Sequence, residues 1–575
     1  MFAKRILLFL ALATIACHGQ DAGAATISVK NFGAVGDGKT DDGPAIRKAV
    51  DAAIKRGPGT TLVFERKIYR LGPNKGGAGQ IRLLGVKGLT IDGNGSTLLL
   101  HPQNGMFDVL KCRNVVIRGF TIDFDPLPFT QGTIRAVEPT KGYFDLELHE
   151  GYPRPVSDVT TKKRLGKGGW RWGSVIDPTE RHRRWGIADH YNIDSVNLVA
   201  GRTYRIATQG QRLIPVKPGD RFFLPLQLTE KGERAFGSNI QVKESSDCTI
   251  EDITIYSARC GMNFAINRNE GRITLRNNSI TFKPDSTRIC TTWKDGMHVK
   301  DNRIGPLIEG CYFQGMLDDS INVSSNTAMA TKVISPTTFR LMGPAFSAGD
   351  DLMVFFPKSG KTQRTKVVTA TAKGKEHTVT LADPVEGVIP GRKQRKHIQS
   401  THFYNMSYIN DRAIIRNCTF KPQRRHAILI RCSNSIIEGN TVDRVGGSAV
   451  WMGNEMGSFY EGPFPHNIII RNNTIRNTQR TAIYIFTKSL GGKAKHTRDI
   501  RVEGNTITVL PGHQGISVRN AARVEQKGNR IFDQNGRGET GGETGDGETG
   551  DGETGRNGGQ SRMALSFLSV IMAGR

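Results

Sequence analysis

Asp295 is followed 23 residues later by the pair Asp318-Asp319, within WKDGMHVKDNRIGPLIEGCYFQGMLDDSINV. If 23 residues make one turn of a coiled chain, the three carboxylates meet on one face of adjacent turns, with backbones about 4.8 Å apart. Crowding raises the pKa of at least one carboxyl while another stays ionised. One protonated and one ionised carboxyl is what hydrolysis of a glycosidic bond needs, the first to protonate the leaving oxygen and the second to activate water or attack carbon. Two other readings stay open on spacing alone. The aspartates make turns and cap strands without chemistry, or they form a Ca²⁺ site of the kind a polysaccharide lyase would use.

Polar and aromatic residues nearby suit a sugar. His298 lies three residues after Asp295 and Asn322 three after Asp319, in reach of hydroxyl groups. QRRHAILI brings Arg424, Arg425 and His426, and SAVWMGNEMGSFYEGP brings Trp451, Asn454, Tyr460 and Glu461. Aromatic faces and polar forks are the lining of a sugar pocket. The arginines read equally well as solvated surface charge. No metal is assigned to the site and no cofactor is expected.

The elements that must position these residues are repeats. Short strands flanked by Gly or Asn recur at 89–100, 114–124, 248–258, 273–282, 305–315, 413–420, 435–444, 467–477 and 499–509. Equivalent positions are Cys418, Asn440, Asn473, Asn505 and Asn529, separated by 22 to 33 residues. A β-rich unit of that size buries its apolar side only by stacking on its neighbours. The fold class expected is all-β, a right-handed parallel β-helix. The recurring asparagines, Asn278 among them, read as a structural ladder in turns that favour the left-handed conformation. Ahead of the first turn, Thr40, Asp41 or Asp42 can cap a helix with Pro44 in its first turn, and Ile46, Ala49, Val50, Ala53 and Ile54 give it one apolar stripe. This helix is expected to cover the open end of the coil. The repeat stops at about 125–245 and again at about 326–400, where alternating stretches such as FDLELHE and DLMVFFP predict two inserted β-barrel-like modules.

Composition bounds the rest. Of 575 residues, 37% are hydrophobic and 23% charged, enough apolar content to exclude wholesale disorder. No apolar run is long enough for a membrane span. The net charge of +27 suits an acidic glycan or envelope. The basic residues are scattered and form no recognisable nucleic-acid module, so no nucleic-acid partner is expected. Lys4 and Arg5, the apolar run 6–16 and Ala22-Gly23-Ala24 read as a signal peptide, with Cys17 a weak lipid-attachment candidate. A secreted or periplasmic protein is expected. The remaining cysteines are spaced unlike zinc ligands and read as small buried hydrophobes.

The opening VKNFGAVGDGKTDD resembles the amino-terminal signature of the pectate-lyase and polygalacturonase superfamily. More narrowly, KDGMHV, GMLDDSINV, NDRAIIRNCTF, AILIRCSNSIIEGNTV, GSAVWMGNEMGSFYEGP and NIIIRNNTI resemble, in order, the inverting α-1,3-galactosidases of glycoside hydrolase family 110. The likeness covers roughly 27–510. It implies an exo-acting α-galactosidase that inverts the anomeric centre without metal, with Asp295, Asp318 and Asp319 as its acidic residues and a terminal α-galactoside as substrate. Two positions depart from the family pattern: Ser324-Ser325 replaces His-Gly, and Arg424 to Ala427 reads Arg-Arg-His-Ala where the family has Arg-Gly. The rival functions are a polygalacturonase or Ca²⁺-dependent lyase on an acidic glycan, and a non-catalytic glycan-binding surface protein. The expected organisation is a signal peptide (1–24), cap and first turns (25–124), a first β module (125–245), turns with the acids (246–325), a second β module (326–400), C-terminal turns (401–536) and a disordered acidic tail (537–575).

Overall fold

The computed structural model describes residues 25–536 except 75–78, 156–171, 189, 211–215, 227–236, 260, 375, 395–396 and 458. The expected signal peptide with Cys17, the acidic tail and Cys260 lie outside the described residues.

The repeated segments pair in parallel, in sequence order. Thr249–Ile255 lies against Val116–Phe124, and Thr274–Arg276, Leu307–Glu309, Ile414–Arg416, Ser433–Glu438, His466–Arg471 and Thr497–Glu503 follow. Strands this short are unstable alone, and their pairing is set by which residues can be buried. The register therefore puts like over like: Ile117, Ile250, Leu275, Ile308, Ile415, Ile437, Ile470 and Val502 form one fully buried column. It belongs to a continuous apolar core running the length of a parallel β-helix.

The asparagine ladder is built as the spacing predicts. The N–H of Cys418, Asn440, Asn473 and Asn505 each donates to the side-chain oxygen of the next asparagine, at 2.9–3.0 Å. Each side-chain amide of Asn440, Asn473 and Asn505 in turn donates to a strand carbonyl of the preceding turn, at Ile415, Ile437 and Ile470. These turns have no regular backbone partner, so the side chains satisfy buried groups that would otherwise be orphaned. A second ladder, Asn269 to Asn302 to Asn410, runs along another corner. Its members lie in segments without the repeat motif, and the sequence reading missed it.

The helix Gly43–Arg56 closes the amino-terminal end, with Ile46, Ala49, Val50 and Ala53 buried on the core and Pro44 in its first turn. Asp42 occupies the N-cap position without a capping bond. Its carboxylate instead accepts the N–H groups of Val35 and Gly36 (2.6 and 3.1 Å), while Asp41 accepts that of Gly43 at 3.0 Å. The described cysteines are free and buried.

A second parallel sheet carries Gly105–Leu110, Ile240–Lys243, Phe264–Asn267, Met297–Lys300, Ile321–Asn326, Ile428–Ile430, Val450–Met452 and Ile483–Phe486 in that order. The two interruptions are closed six-stranded antiparallel barrels. The first has strands from Phe129–Glu138 to Arg221–Pro225 and the second from Ala328–Val333 to His402–Asn405. Each has its own apolar core. The first barrel packs Phe129, Trp172 and Phe223 against Ile289, Cys290 and Leu317 of the helix, next to the acidic pair. The second packs Phe355 and Tyr404 against Met456 and Phe464.

Asn473→Ala removes the acceptor of the buried Asn440 N–H, at a cost of about 1–3 kcal/mol. Urea unfolding should show a loss of about 1–3 kcal/mol; a loss well under about 1 kcal/mol would mean that the ladder is dispensable.

Candidate active site

The acids sit where the chain enters the second sheet. Met297 pairs with Ile321, and Thr292 bridges Met316 on the near side. That is a step of 24 residues instead of the 23 expected, so Asp295 stands in register with Asp319, and Lys294 with Asp318. Ile321 pairs with Ile428 on the next turn, which sets Arg425 beside Asp318 and His426 beside Asp319. Gly296 permits the approach, because a Cβ there would lie 2.7 Å from the Ser320 carbonyl oxygen. Its N–H donates to the Asp319 carbonyl at 2.9 Å.

Carboxylate oxygens of Asp295, Asp318 and Asp319 lie within 4.8 Å of one another. Their surroundings differ. The Asp318 side chain is 38% exposed and faces Arg425, whose Nε is 3.8 Å from Oδ1. Asp295 and Asp319 are buried. The backbone N–H of His426 donates to Asp319 Oδ1 at 3.0 Å, and Asn322 Nδ2 lies 3.5 Å from Asp295 Oδ2. Burial, followed by the charges of Asp318 and Asp319, holds the Asp295 carboxyl well above the usual range. Burial and Asp318 push Asp319 up to about 7, against the opposing pull of Arg425. Two carboxyls that keep their protons thus adjoin a third that reaches solvent.

The two histidines are neutral. Burial and the neighbouring Lys300 push His298 down to about 3, with its Nε2 3.6 Å from Asp295 Oδ2. Burial and Arg425 hold His426 well below its ordinary value. The Ser448 N–H donates to His426 Nδ1 at 2.8 Å, which leaves the ring proton on Nε2.

Beneath the acids lies an ion group that the sequence reading did not assemble. Glu461 accepts Lys300 Nζ on one oxygen and Arg431 Nη1 on the other at 2.6 Å. Burial alone would raise its pKa, but Lys300 and Arg431 outweigh it and bring Glu461 to about 2. Lys300 also donates to Ser324 Oγ, which donates to Asn322 Oδ1 at 2.8 Å. Glu461 therefore steadies the two paired strands that present His298 and Asn322, with both its oxygens engaged. Lys300 was legible: it lies two residues from His298, hence on the same face of a strand.

The other expected residues separate. Trp451 packs its ring on His426 (centroids 4.7 Å apart) and on Tyr484 and Phe486. Asn454 exchanges two hydrogen bonds with the Lys488 backbone (2.8 and 2.9 Å), a clamp between turns. Arg424 donates to the Leu317 carbonyl and lies 6.0 Å from the Trp172 ring. The Tyr460 hydroxyl donates to the Gln394 carbonyl. A cavity of about 190 Å³ has Arg424 and Arg425 in its wall.

A family model described as a right handed beta helix region matches residues 394–544. The chain is 26% identical to alpha-1,3-galactosidase B of Bacteroides thetaiotaomicron, across 86% of this chain and 84% of that one. The chain is similar to the α-1,3-galactosidases over most of its length. A second such relative, alpha-1,3-galactosidase B of Akkermansia muciniphila, is 23% identical across 82% of this chain and 60% of its own length. Among solved structures, the A-module of mannuronan C-5 epimerase AlgE4 of Azotobacter vinelandii aligns over 88% of this chain and 97% of its own, at 12% identity and a TM-score of 0.38. The fold rests on the strand pairing above. Among the described residues no helix is long and apolar enough to cross a membrane.

Asp319 binds its proton more tightly in the native state than in the unfolded chain, so its contribution to stability falls as pH rises from about 4 to about 7. Asp319→Asn keeps an acceptor for the His426 N–H and removes the buried charge. Thermal unfolding should show the variant more stable than the parent at pH 8, by up to about 4 kcal/mol at roughly 1.4 kcal/mol per pKa unit, with the gain shrinking towards pH 4. A parent that is the more stable at both pH values would contradict this reading of Asp319.

Proposed function

We propose that this chain is an exo-acting α-galactosidase that hydrolyses a terminal α-linked galactoside with inversion, using Asp319 as general acid and Asp318 as the base that activates water. That it is a glycoside hydrolase follows from homology to the α-1,3-galactosidases over most of its length. The observation that carries the mechanism is the three-carboxylate cluster, in which burial and like charge divide the protonation states. Asp319, held near pH 7, is matched to giving up a proton to a leaving oxygen. Asp318 is the member that water reaches. Asp295, kept protonated, stays uncharged beside Asp319, and neutral His298 and Asn322 offer hydrogen bonds to sugar hydroxyls. Export to the periplasm or medium is part of the proposal and rests on residues 1–24.

A second reading has a specific observation in its favour. Carboxyl groups of inverting enzymes are commonly about 6.5–9.5 Å apart and those of retaining enzymes about 5–5.5 Å apart. The spacing here, within 4.8 Å, is nearer the retaining value. In that case Asp318 attacks carbon and a glycosyl-enzyme forms. For inversion, water must fit between the sugar and the Asp318 side of the cluster.

Proton NMR of a fresh digest of an α-galactoside should show β-galactose first; α-galactose first would replace inversion with retention. Asp318→Asn should lower kcat/KM by roughly 10²–10⁴-fold, the usual share of a general base. Activity should fall as pH rises through about 7, where Asp319 loses its proton. EDTA should leave the rate unchanged, whereas a loss restored by Ca²⁺ would favour the lyase reading.

A further inference from the structure

Between the ion group at Glu461 and the acids runs a chain of polar side chains in which each proton has one place to go. In the strand register Lys300 stands opposite Ser324, and His298 opposite Asn322. Lys300, Ser324 and Asn322 are all buried, Ser324 completely. Lys300 donates to Glu461 and to Ser324 Oγ. An ammonium has protons and no lone pair, so the Ser324 hydroxyl is the acceptor in that bond. Its single proton is left for the Asn322 atom 2.8 Å away, which must therefore be the side-chain oxygen Oδ1. An amide with its oxygen fixed has its nitrogen fixed as well. Asn322 Nδ2 accordingly faces Asp295 Oδ2, at 3.5 Å, the long end of a hydrogen bond that a bound substrate would tighten. Donation runs one way, from Lys300 through Ser324 and Asn322 to Asp295. The Ser324 hydroxyl bonds to Lys300 and Asn322 alone among the described residues.

We propose that Ser324 is a positioning residue for the hydrolysis: it fixes which end of the Asn322 amide faces Asp295, so that the acid meets an N–H group and keeps its own proton for the other acids or for a sugar hydroxyl. An amide free to turn over would present its oxygen instead and take up the proton that burial and like charge keep on the Asp295 carboxyl. The two orientations of an amide have the same shape, so packing alone does not choose between them; a donor on one side does. Lys300 makes Ser324 that donor, and Glu461 holds Lys300 in place. Asn322 Nδ2 carries a second N–H, which is left for the substrate. Ser324 itself reaches neither sugar nor acid and acts through Asn322. The inference rests on the hydrolase reading for its effect on rate, and on the hydrogen bonds alone for the orientation of the amide.

A double-mutant cycle in the full-length protein, with α-galactosyl-1,3-galactose as substrate, tests whether Ser324 acts through Asn322. Ser324→Ala should lower kcat/KM by roughly three- to tenfold, the worth of one hydrogen bond. In an Asn322→Ala background the same change should alter kcat/KM by less than about twofold, because no amide remains to be oriented. A residue that merely supported the strand would lower the rate by the same factor in both backgrounds, and that result would overturn the proposal. The cycle is read a second time by urea unfolding, which needs no activity. Ser324→Ala should move the urea midpoint of the parent downwards and should leave that of Asn322→Ala unchanged or raise it, since there the hydroxyl has already lost its acceptor. If the parent cleaves the galactoside and Ser324→Ala changes neither its rate nor its midpoint, the relay is refuted and the hydrolase reading stands. If the urea cycle shows the coupling and the parent cleaves no α-galactoside, the relay stands and the hydrolase reading falls.

Discussion

Parallel pairing between successive turns determines which side chain stands beside which, and every feature of the site inherits from it. Each strand N–H reaches a carbonyl one turn away, and a slip of one residue would send an aliphatic column to the surface. The column from Ile117 to Val502 holds the register from the inside, and the asparagine ladders hold it at the corners. Three acids from two turns can be forced together only because this pairing is paid for elsewhere, in the core. Their mutual repulsion is too small to move a strand whose neighbours are buried on both sides.

The charges are arranged in two layers. Outermost are Asp295, Asp318 and Asp319, where two members keep protons through burial and like charge. Behind them Glu461 is ionised between Lys300 and Arg431. A buried carboxylate with two cationic partners adds a fixed field, and its loss would leave two unpaired buried cations, a far larger penalty than the pair contributes by itself. One layer holds protons through burial and like charge, and the other ties together the strands that carry it.

Much of this was legible in the sequence, for particular reasons. Asn440, Asn473 and Asn505 recur because each turn repeats the same orphaned backbone groups, so a ladder is visible as a period. The capping helix was visible as one apolar stripe, although Asp42, placed at its start, spends its carboxylate on Val35 and Gly36. The acids were found from spacing near one turn, yet their partner within the register was off by a residue, since turn length varies at the corner. The sheet that presents His298, Asn322 and Trp451 has no repeat signature: its strands are short and face a site on one side, so they vary where the opposite sheet is uniform. Arg431 was missed because the contacts that place it beside Glu461 run between different turns.

The barrels enter between residues that must pair with each other. Ile117 meets Ile250 across the first, and Ile308 meets Ile415 across the second, with the partners 133 and 107 residues apart in the chain. Closing such loops from a disordered chain is slow, though the entropic cost grows only with the logarithm of length. A barrel that has already folded shortens the loop to the gap between its own ends. The solenoid can then continue as though nothing had been inserted, so a different barrel grafted at the same two points would exchange Phe129, Trp172 and Phe223 for another wall while the acids kept their spacing. The acids and the wall that stands over them are in this way carried by separately replaceable parts of one chain.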